Sequence, residues 1–224
     1  MNGPYRVLVV DDHRSVREAY SRLLAGSDEF EVVATARDGR DGIAAFETLQ
    51  PDLVLMDLQL PRISGVEATR EICERWPGAC VVVLTTFATN DLIVSALRAG
   101  AAGYLLKDAA GKSLTVSMHQ ALAGEMPLSS SVRRQLVATL VAEADGPPAG
   151  PPQPGLTDRE SELLRWLAKG LTNQQIGSKM YVSEGSVKQY LSRIGAKVGA
   201  KSRTQILVRA IQLNLIDPRD DEQP

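Results

Sequence analysis

In the first half of the chain, short unbroken apolar runs alternate with stretches whose apolar positions recur every three or four residues. The runs are Val7–Val10, Glu31–Ala36, Leu53–Met56, Val81–Leu84 and Gly103–Leu106. Apolar residues on consecutive positions suit strands buried on both faces, the kind found inside a parallel sheet. Helical spacing appears at Val16, Ala19, Tyr20, Leu23 and Leu24, and then at Ile43, Ala44, Phe46 and Leu49. It recurs over Val66–Cys73, over Asn90–Arg98 with Gly100 as a stop, and at Leu114, Met118, Ala121 and Leu122. Strands alternating with helices predict an α/β fold, a doubly wound five-stranded parallel sheet.

The pattern changes after residue 125. Ser129-Ser130-Ser131-Val132 with Leu136, Val137, Leu140 and Val141 predicts an extra helix outside the sheet domain. Gly146-Pro147-Pro148-Ala149-Gly150-Pro151-Pro152-Gln153-Pro154-Gly155 then reads as a semi-extended linker, too poor in apolar side chains to pack a core. Beyond it the apolar spacing is helical throughout. Thr157–Glu160, Thr172–Gln175 and Ser202–Gln205 each have the form of a capping box, and Ser183 caps a further helix carrying Val187, Leu191, Ile194 and Val198. The predicted domains are residues 1–125, a connecting helix and linker over 126–155, and an all-α domain over 156–217.

Charge sharpens this division. Residues 1–125 hold 17 Asp and Glu against 12 Lys and Arg, whereas 156–216 hold 4 against 10. A basic module attached to an acidic one points to a polyanionic partner for the former. No apolar run approaches the length of a membrane span, and the N-terminus lacks the form of a signal peptide. A cytoplasmic protein is the expectation. Cys73 and Cys80 are expected as buried or half-buried thiols, and His13 and His119 are too few for a histidine metal site.

The chemistry gathers at the strand ends. Asp11 and Asp12 follow the first strand, Asp57 the third, Thr85 the fourth and Lys107 the fifth, all on the edge where open α/β sheets bind ligands. Converging carboxylates repel one another, and oxygen-only donors select a hard cation, Mg²⁺ above all. A carboxylate beside such an ion is a plausible nucleophile toward phosphorus, with Lys107 and Thr85 placed to meet phosphoryl oxygens.

On Asp11-Asp12, Asp57, Leu60-Pro61, Gly65, Thr85, Ala101-Ala102-Gly103-Tyr104 and Lys107, residues 5–123 resemble a CheY-like receiver domain of a two-component response regulator. The resemblance implies that Asp57 is the phosphoacceptor for a sensor histidine kinase. It implies that Asp11, Asp12, Asp57 and the backbone carbonyl of Gln59 hold Mg²⁺, and that Thr85 and Tyr104 form a switch pair, Tyr104 turning inward on activation. Asp108 stands where many receivers carry proline, which leaves the role of Lys107 intact. Gln59 and Phe87 are expected to flank the phosphoryl group and to set how fast water reaches it.

In the C-terminal part, two short helices joined by Met180-Tyr181-Val182-Ser183 make a helix-turn-helix, whose second helix would enter the major groove. That helix offers Ser186, Lys188, Gln189, Ser192, Arg193 and Lys197 on one side. On periodicity alone, a DNA-reading face and an ordinary solvated face are equal alternatives. Leu156–Glu160, Gly170–Ile176, Val182–Lys188 and Lys201–Gln205 resemble a LuxR-type DNA-binding domain, so that with the receiver nearly the whole chain resembles a NarL/FixJ-type response regulator. The resemblance implies that Lys188 and Gln189 lie at bases with Ser192 nearby, and that Lys179, Ser186, Arg193 and Lys201 lie nearer phosphates of promoter DNA. It also implies a homodimer joined through the last helix, 203–214.

Tyr190 departs from the histidine frequent at its position, and Gly195 lies inside the recognition helix with no function evident from the sequence. A receiver that acts without phosphorylation is a second reading, which the complete acidic set opposes. A haloacid-dehalogenase-like phosphotransferase is a third, but it needs a second carboxylate two residues after the nucleophile, where Gln59 stands. The expectation is a regulator rather than an enzyme.

Overall fold

β1 (Tyr5–Val10), β2 (Phe30–Ala36), β3 (Leu53–Met56), β4 (Val81–Thr85) and β5 (Gly103–Leu106) pair in parallel in the order β2-β1-β3-β4-β5. The computed structural model describes residues 3–86, 89–107, 110–129, 132–133, 135–136, 155–213 and 215–216. The chain divides into two compact units, Met1–Val132 and Arg133–Pro224. Within the first, α1 (Arg14–Ala25), α2 (Gly39–Leu49), α3 (Gly65–Arg75), α4 (Asn90–Ala99) and α5 (Ala110–Leu122) link or follow the strands.

The unbroken apolar runs are explained by cores on both faces of the sheet. Val7, Val9, Leu53 and Leu55 pack with Tyr20 and Leu24 of α1 and Leu114 and Met118 of α5. Their neighbours Leu8, Val10, Val54 and Met56 face the other way, against Ile43 and Phe46 of α2 and Ala68 and Ile72 of α3. Each fully buried Leu or Val here contributes about 1.5–3 kcal/mol relative to exposure. The helix ends follow the local signals: Ser64 and Glu67 form a capping box at the start of α3, and Gly100 closes α4 at φ 112°.

The sheet unit does not stop at residue 125. The Tyr104 N–H donates to the Pro127 carbonyl at 3.0 Å, and Tyr104 bridges to Leu128 in parallel. Gly103 permits this approach, since a Cβ there would stand 2.5 Å from Pro127 Cγ. Residues 126–129 thus cover the β5 edge where a helix was expected to begin. Of that expected helix, residues 132–133 and 135–136 are helical, while 130–131, 134 and 137–144 lie outside the described residues, as do positions 146–154 of the linker.

The second unit contains α6 (Asp158–Ala168), α7 (Asn173–Met180), α8 (Glu184–Val198) and α9 (Arg203–Gln212). Capping boxes form at Thr157/Glu160 and Thr172/Gln175. The one expected at Ser202 is half made: Ser202 Oγ accepts the Gln205 N–H, but Gln205 Oε1 accepts from the Lys201 N–H instead of reaching back to Ser202. No helix among the described residues is long and apolar enough to cross a membrane.

Candidate functional site

Sheet register assembles the first site. Val10 pairs with Met56, so Asp11 and Asp57, each one residue further, leave adjacent strands side by side. The Asp57 N–H donates to the Val10 carbonyl at 2.9 Å. On the far side Thr85 pairs with Leu106, which brings Lys107 to the same edge. Asp11, Asp57 and Thr85 are buried, with 3%, 4% and 0% of their surface exposed. Lys107 Nζ lies 2.6 Å from Asp11 Oδ2 and 3.3 Å from Asp57 Oδ2. The Leu58 N–H donates to Asp57 Oδ1 at 2.9 Å.

Burial pushes the Asp57 carboxyl above its ordinary pKa; Lys107 opposes this and Asp11 adds to it. Tyr104 is fully enclosed, and burial, with the charge of Asp57 contributing, raises its phenol pKa. Tyr104 therefore already lies within the fold, where an inward turn was expected on activation. Asp12 is more open than Asp11, and Gln59 is exposed at the start of the β3–α3 loop. Phe87 lies outside the described residues.

His13, set aside on the sequence, sits at the acidic pair. Its ring Nδ1 is 2.6 Å from Asp12 Oδ1, and its backbone N–H donates to Asp11 Oδ1 at 2.9 Å. Ligand atoms of Asp11, Asp12 and His13 all lie within 4.8 Å of one another. With the buried Asp57 beside buried Asp11 and exposed Asp12, the donors at this edge are mainly carboxylate oxygens, offset by the Lys107 ammonium, a set that fits a hard divalent cation.

In the second unit, α7 and α8 form the helix-turn-helix. Gly177 lets the turn close, because a Cβ there would stand 2.7 Å from the Val182 carbonyl oxygen. Tyr181 ends α7 in the left-handed region at φ 55°, with its side chain 94% exposed. Val187, Leu191, Ile194 and Val198 turn inward, while Lys188, Gln189, Ser192 and Arg193 are exposed together, as are Lys179 and Lys201. Ser186 is half-buried and its Oγ lies 2.9 Å from Ser183 Oγ. Lys188 pairs with Glu184 at 2.9 Å. The Arg193 guanidinium sits 5.2 Å from the Tyr190 ring centroid, and Lys179 Nζ 5.7 Å from that of Trp166.

Lys197 is exposed as expected, but it is committed to a partner within the unit. Its ammonium donates to Glu160 Oε2 at 2.6 Å and to the Gly155 carbonyl at 3.0 Å, tying α8 to the start of α6. Arg203 is another residue whose place the sequence did not reveal: it is buried, and its guanidinium bonds Asn173 Oδ1 and the Leu171 carbonyl, joining α9 to α7. Gly195 now has a reason. A Cβ there would stand 2.7 Å from the Ala200 carbonyl oxygen, where the chain folds back between α8 and α9.

Residues 7–119 match the response regulator receiver domain family, and residues 154–210 match the bacterial regulatory proteins of the luxR family. The chain belongs to the two-component response regulators that join a receiver to a LuxR-type DNA-binding domain, a family of transcriptional regulators. It is 35% identical over 216 residues to the DNA-binding transcriptional activator DevR/DosR of Mycobacterium tuberculosis, spanning 96% of this chain and 98% of that one. It is likewise 35% identical over 205 residues to the nitrate/nitrite response regulator protein NarL of Escherichia coli, spanning 92% and 94%. Among solved structures, the response regulator ChrA of a heme-sensing two-component system matches 96% of this chain and 100% of its own at 35% identity, with a TM-score of 0.53.

Proposed function

We propose that Asp57 accepts a phosphoryl group from a sensor histidine kinase in the cytoplasm, and that this modification controls dimerisation and promoter binding. The observation that supports it most is the Lys107 ammonium lying within 3.3 Å of both Asp11 and Asp57 on the carboxyl edge of the sheet. An Asp57 oxygen forms the new bond to phosphorus as the phosphorus–nitrogen bond of the donor histidine breaks. Lys107 then neutralises a phosphoryl oxygen, and the Thr85 hydroxyl donates to another. The residues suited to hold Mg²⁺ are Asp11, Asp12, Asp57 and the Gln59 carbonyl. When bound, the ion supplies positive charge against the phosphoryl oxygens.

Phosphorylation adds about 1.5–2 negative charges and three acceptor oxygens. Drawing Thr85 toward them biases the packing around Tyr104, and the response passes to the α4–β5 face. In the DNA-binding domain, Lys188 and Gln189 face base edges with Ser192 beside them. Lys179, Ser186, Arg193 and Lys201 meet phosphates, and α9 pairs two copies on adjacent half-sites. The functional domains on this reading are the receiver, residues 1–125 with 126–129 on its β5 edge, and the DNA-binding domain, 156–217.

The test compares the full chain with Asp57→Asn, each with and without Mg²⁺ and beryllofluoride. Oligomeric state is read by light scattering and affinity by titration of promoter DNA. Dimerisation and tighter binding in the wild type alone support the proposal. The same response in both chains, or in neither, refutes phosphorylation control.

A further inference from the structure

Between Asp57 and α3 the chain makes a short loop, residues 58–64, closed at its neck by the Gly65 N–H donating to the Leu58 carbonyl at 3.0 Å. Inside it the Ile63 N–H donates to the Pro61 carbonyl at 2.8 Å, and Leu60 and Ile63 pack against the core between α2 and α3. Arg62 occupies the tip with a left-handed backbone, φ 67°. Its guanidinium reaches the N-terminus of α2, where Nη2 is ion-paired with Asp38 Oδ2, a buried oxygen that accepts no hydrogen bond among the described residues, and lies 3.6 Å from Asp41 Oδ2.

Asp38 is itself fixed. It caps α2, its Oδ1 accepting the Asp41 N–H at 2.9 Å, and its side chain is 1% exposed. Arg37 is the more distant cation, its Nε 4.0 Å from Asp38 Oδ2. Two glycines allow loop and helices to meet: a Cβ on Gly39 would stand 2.6 Å from the Ile63 carbonyl oxygen, and one on Gly65 would overlap the Asp57 carbonyl. A non-glycine residue at positive φ persists where its surroundings over-determine it. Here the buried Asp38 carboxylate is the partner that holds it.

We infer that the Asp38–Arg62 pair latches the β3–α3 loop onto α2, and that Arg62 is a positioning residue for the chemistry at Asp57. The inference rests on the phosphoacceptor reading above. The loop carries two groups that this reading uses: the Leu58 N–H on Asp57 Oδ1, and the backbone of Gln59. Mg²⁺ tolerates little departure from octahedral geometry. A tethered loop presents the Gln59 carbonyl in one place, whereas an untethered one spreads it over many and admits water to the acyl phosphate.

Arg62→Gly and Arg62→Lys separate the charge from the backbone. Glycine relieves the positive φ but removes the ion pair; lysine keeps a cation and retains the constrained backbone. Three readouts on the full chain apply: hydrogen exchange of the Ile63 and Gly65 amides in chelator, Mg²⁺ affinity by calorimetry, and the lifetime of phospho-Asp57. A latch predicts faster exchange, about tenfold weaker Mg²⁺ binding and a shorter lifetime for Arg62→Gly. Arg62→Lys should stay close to wild type. If Arg62→Gly matches wild type in exchange and Mg²⁺ affinity, the latch is refuted while the phosphoacceptor reading stands. If the wild type accepts no phosphoryl group, both are refuted.

Discussion

Lys107 is held closer to Asp11 than to Asp57, its Nζ 2.6 Å from the first carboxylate and 3.3 Å from the second. One ammonium thus serves two buried acids, and the raised pKa of Asp57 reflects the imbalance, with burial as its main cause. Asp57→Asn removes a poorly tolerated charge and should raise the thermal midpoint by a few degrees at neutral pH in chelator. The sign with pH follows from the direction of the shift. In the window below the raised pKa the folded chain takes up a proton before the unfolded chain does, so the charge penalty fades on acidification and the mutant's advantage shrinks. Mg²⁺ should raise the wild-type midpoint more than the mutant's. A mutant melting at or below wild type in chelator would contradict this account.

Glu160 presents the opposite case. Burial alone would push its carboxyl up, but the Lys197 ammonium and the Thr157 N–H and hydroxyl outweigh that and hold it below its ordinary range. A depressed carboxyl stabilises the fold above its unfolded pKa, and that contribution disappears as pH falls through the depressed value. Glu160→Gln keeps an acceptor for the cap and should cost about 1 kcal/mol at pH 7, and Glu160→Ala about 2 kcal/mol. Urea unfolding followed through Trp166 between neutral and acid pH checks both. The difference from wild type should vanish at the acid end for Glu160→Gln and shrink to the cost of the lost cap acceptor for Glu160→Ala.

Gly195→Ala sets helix propensity against packing. Alanine should gain about 1 kcal/mol inside a helix. Its methyl, however, would stand 2.7 Å from the Ala200 carbonyl oxygen, in a turn that the Ala200 N–H closes by donating to the Gly195 carbonyl at 2.8 Å. Backbone must move, and overpacking of this kind costs about 1–3 kcal/mol. The expected outcome is a net loss of stability in the DNA-binding unit. A more stable Gly195→Ala variant in denaturant titration would show that the turn yields easily.

The Lys188–Glu184 pair predicts a gain of function. Glu184 lies at the start of α8, adding negative charge where the proposed interface meets phosphates, and it engages Lys188 at 2.9 Å. Glu184→Gln should tighten promoter binding about two- to fivefold at moderate salt, consistent with an exposed pair of about 0.5–1 kcal/mol. Lys179→Ala, by contrast, should weaken binding to all sequences and reduce the slope of log affinity against log salt by about one. Titrations at several salt concentrations distinguish the two effects.

The sheet and the acidic set were legible in the sequence because each depends on local signals. Apolar runs such as Val81–Leu84 have no polar side to place in water, and parallel strands bring their C-terminal residues to one edge whatever the details of packing. The caps at Thr157 and Thr172 span only four residues each. What stayed hidden joins elements distant in sequence. Lys197 has the spacing of an exposed interface residue, yet it turns to Glu160, 37 positions earlier, because α6 and α8 cross there. Arg203 lies buried 30 positions from Asn173, and Arg62 finds Asp38 only once the β3–α3 loop has closed. Pro127 and Leu128 carry no strand signal; the small surface of Gly103 admits them.

Tyr104 takes part in two separate arrangements. Its phenol is enclosed within the electrostatic reach of Asp57, while its amide anchors Pro127, in the segment by which the chain leaves the sheet. A displacement of the Tyr104 backbone must either carry Pro127 with it or break that hydrogen bond. The departing chain is thus moored to the strand beside the acidic edge, so that a single peptide group ties the site's neighbour to the segment that follows the sheet.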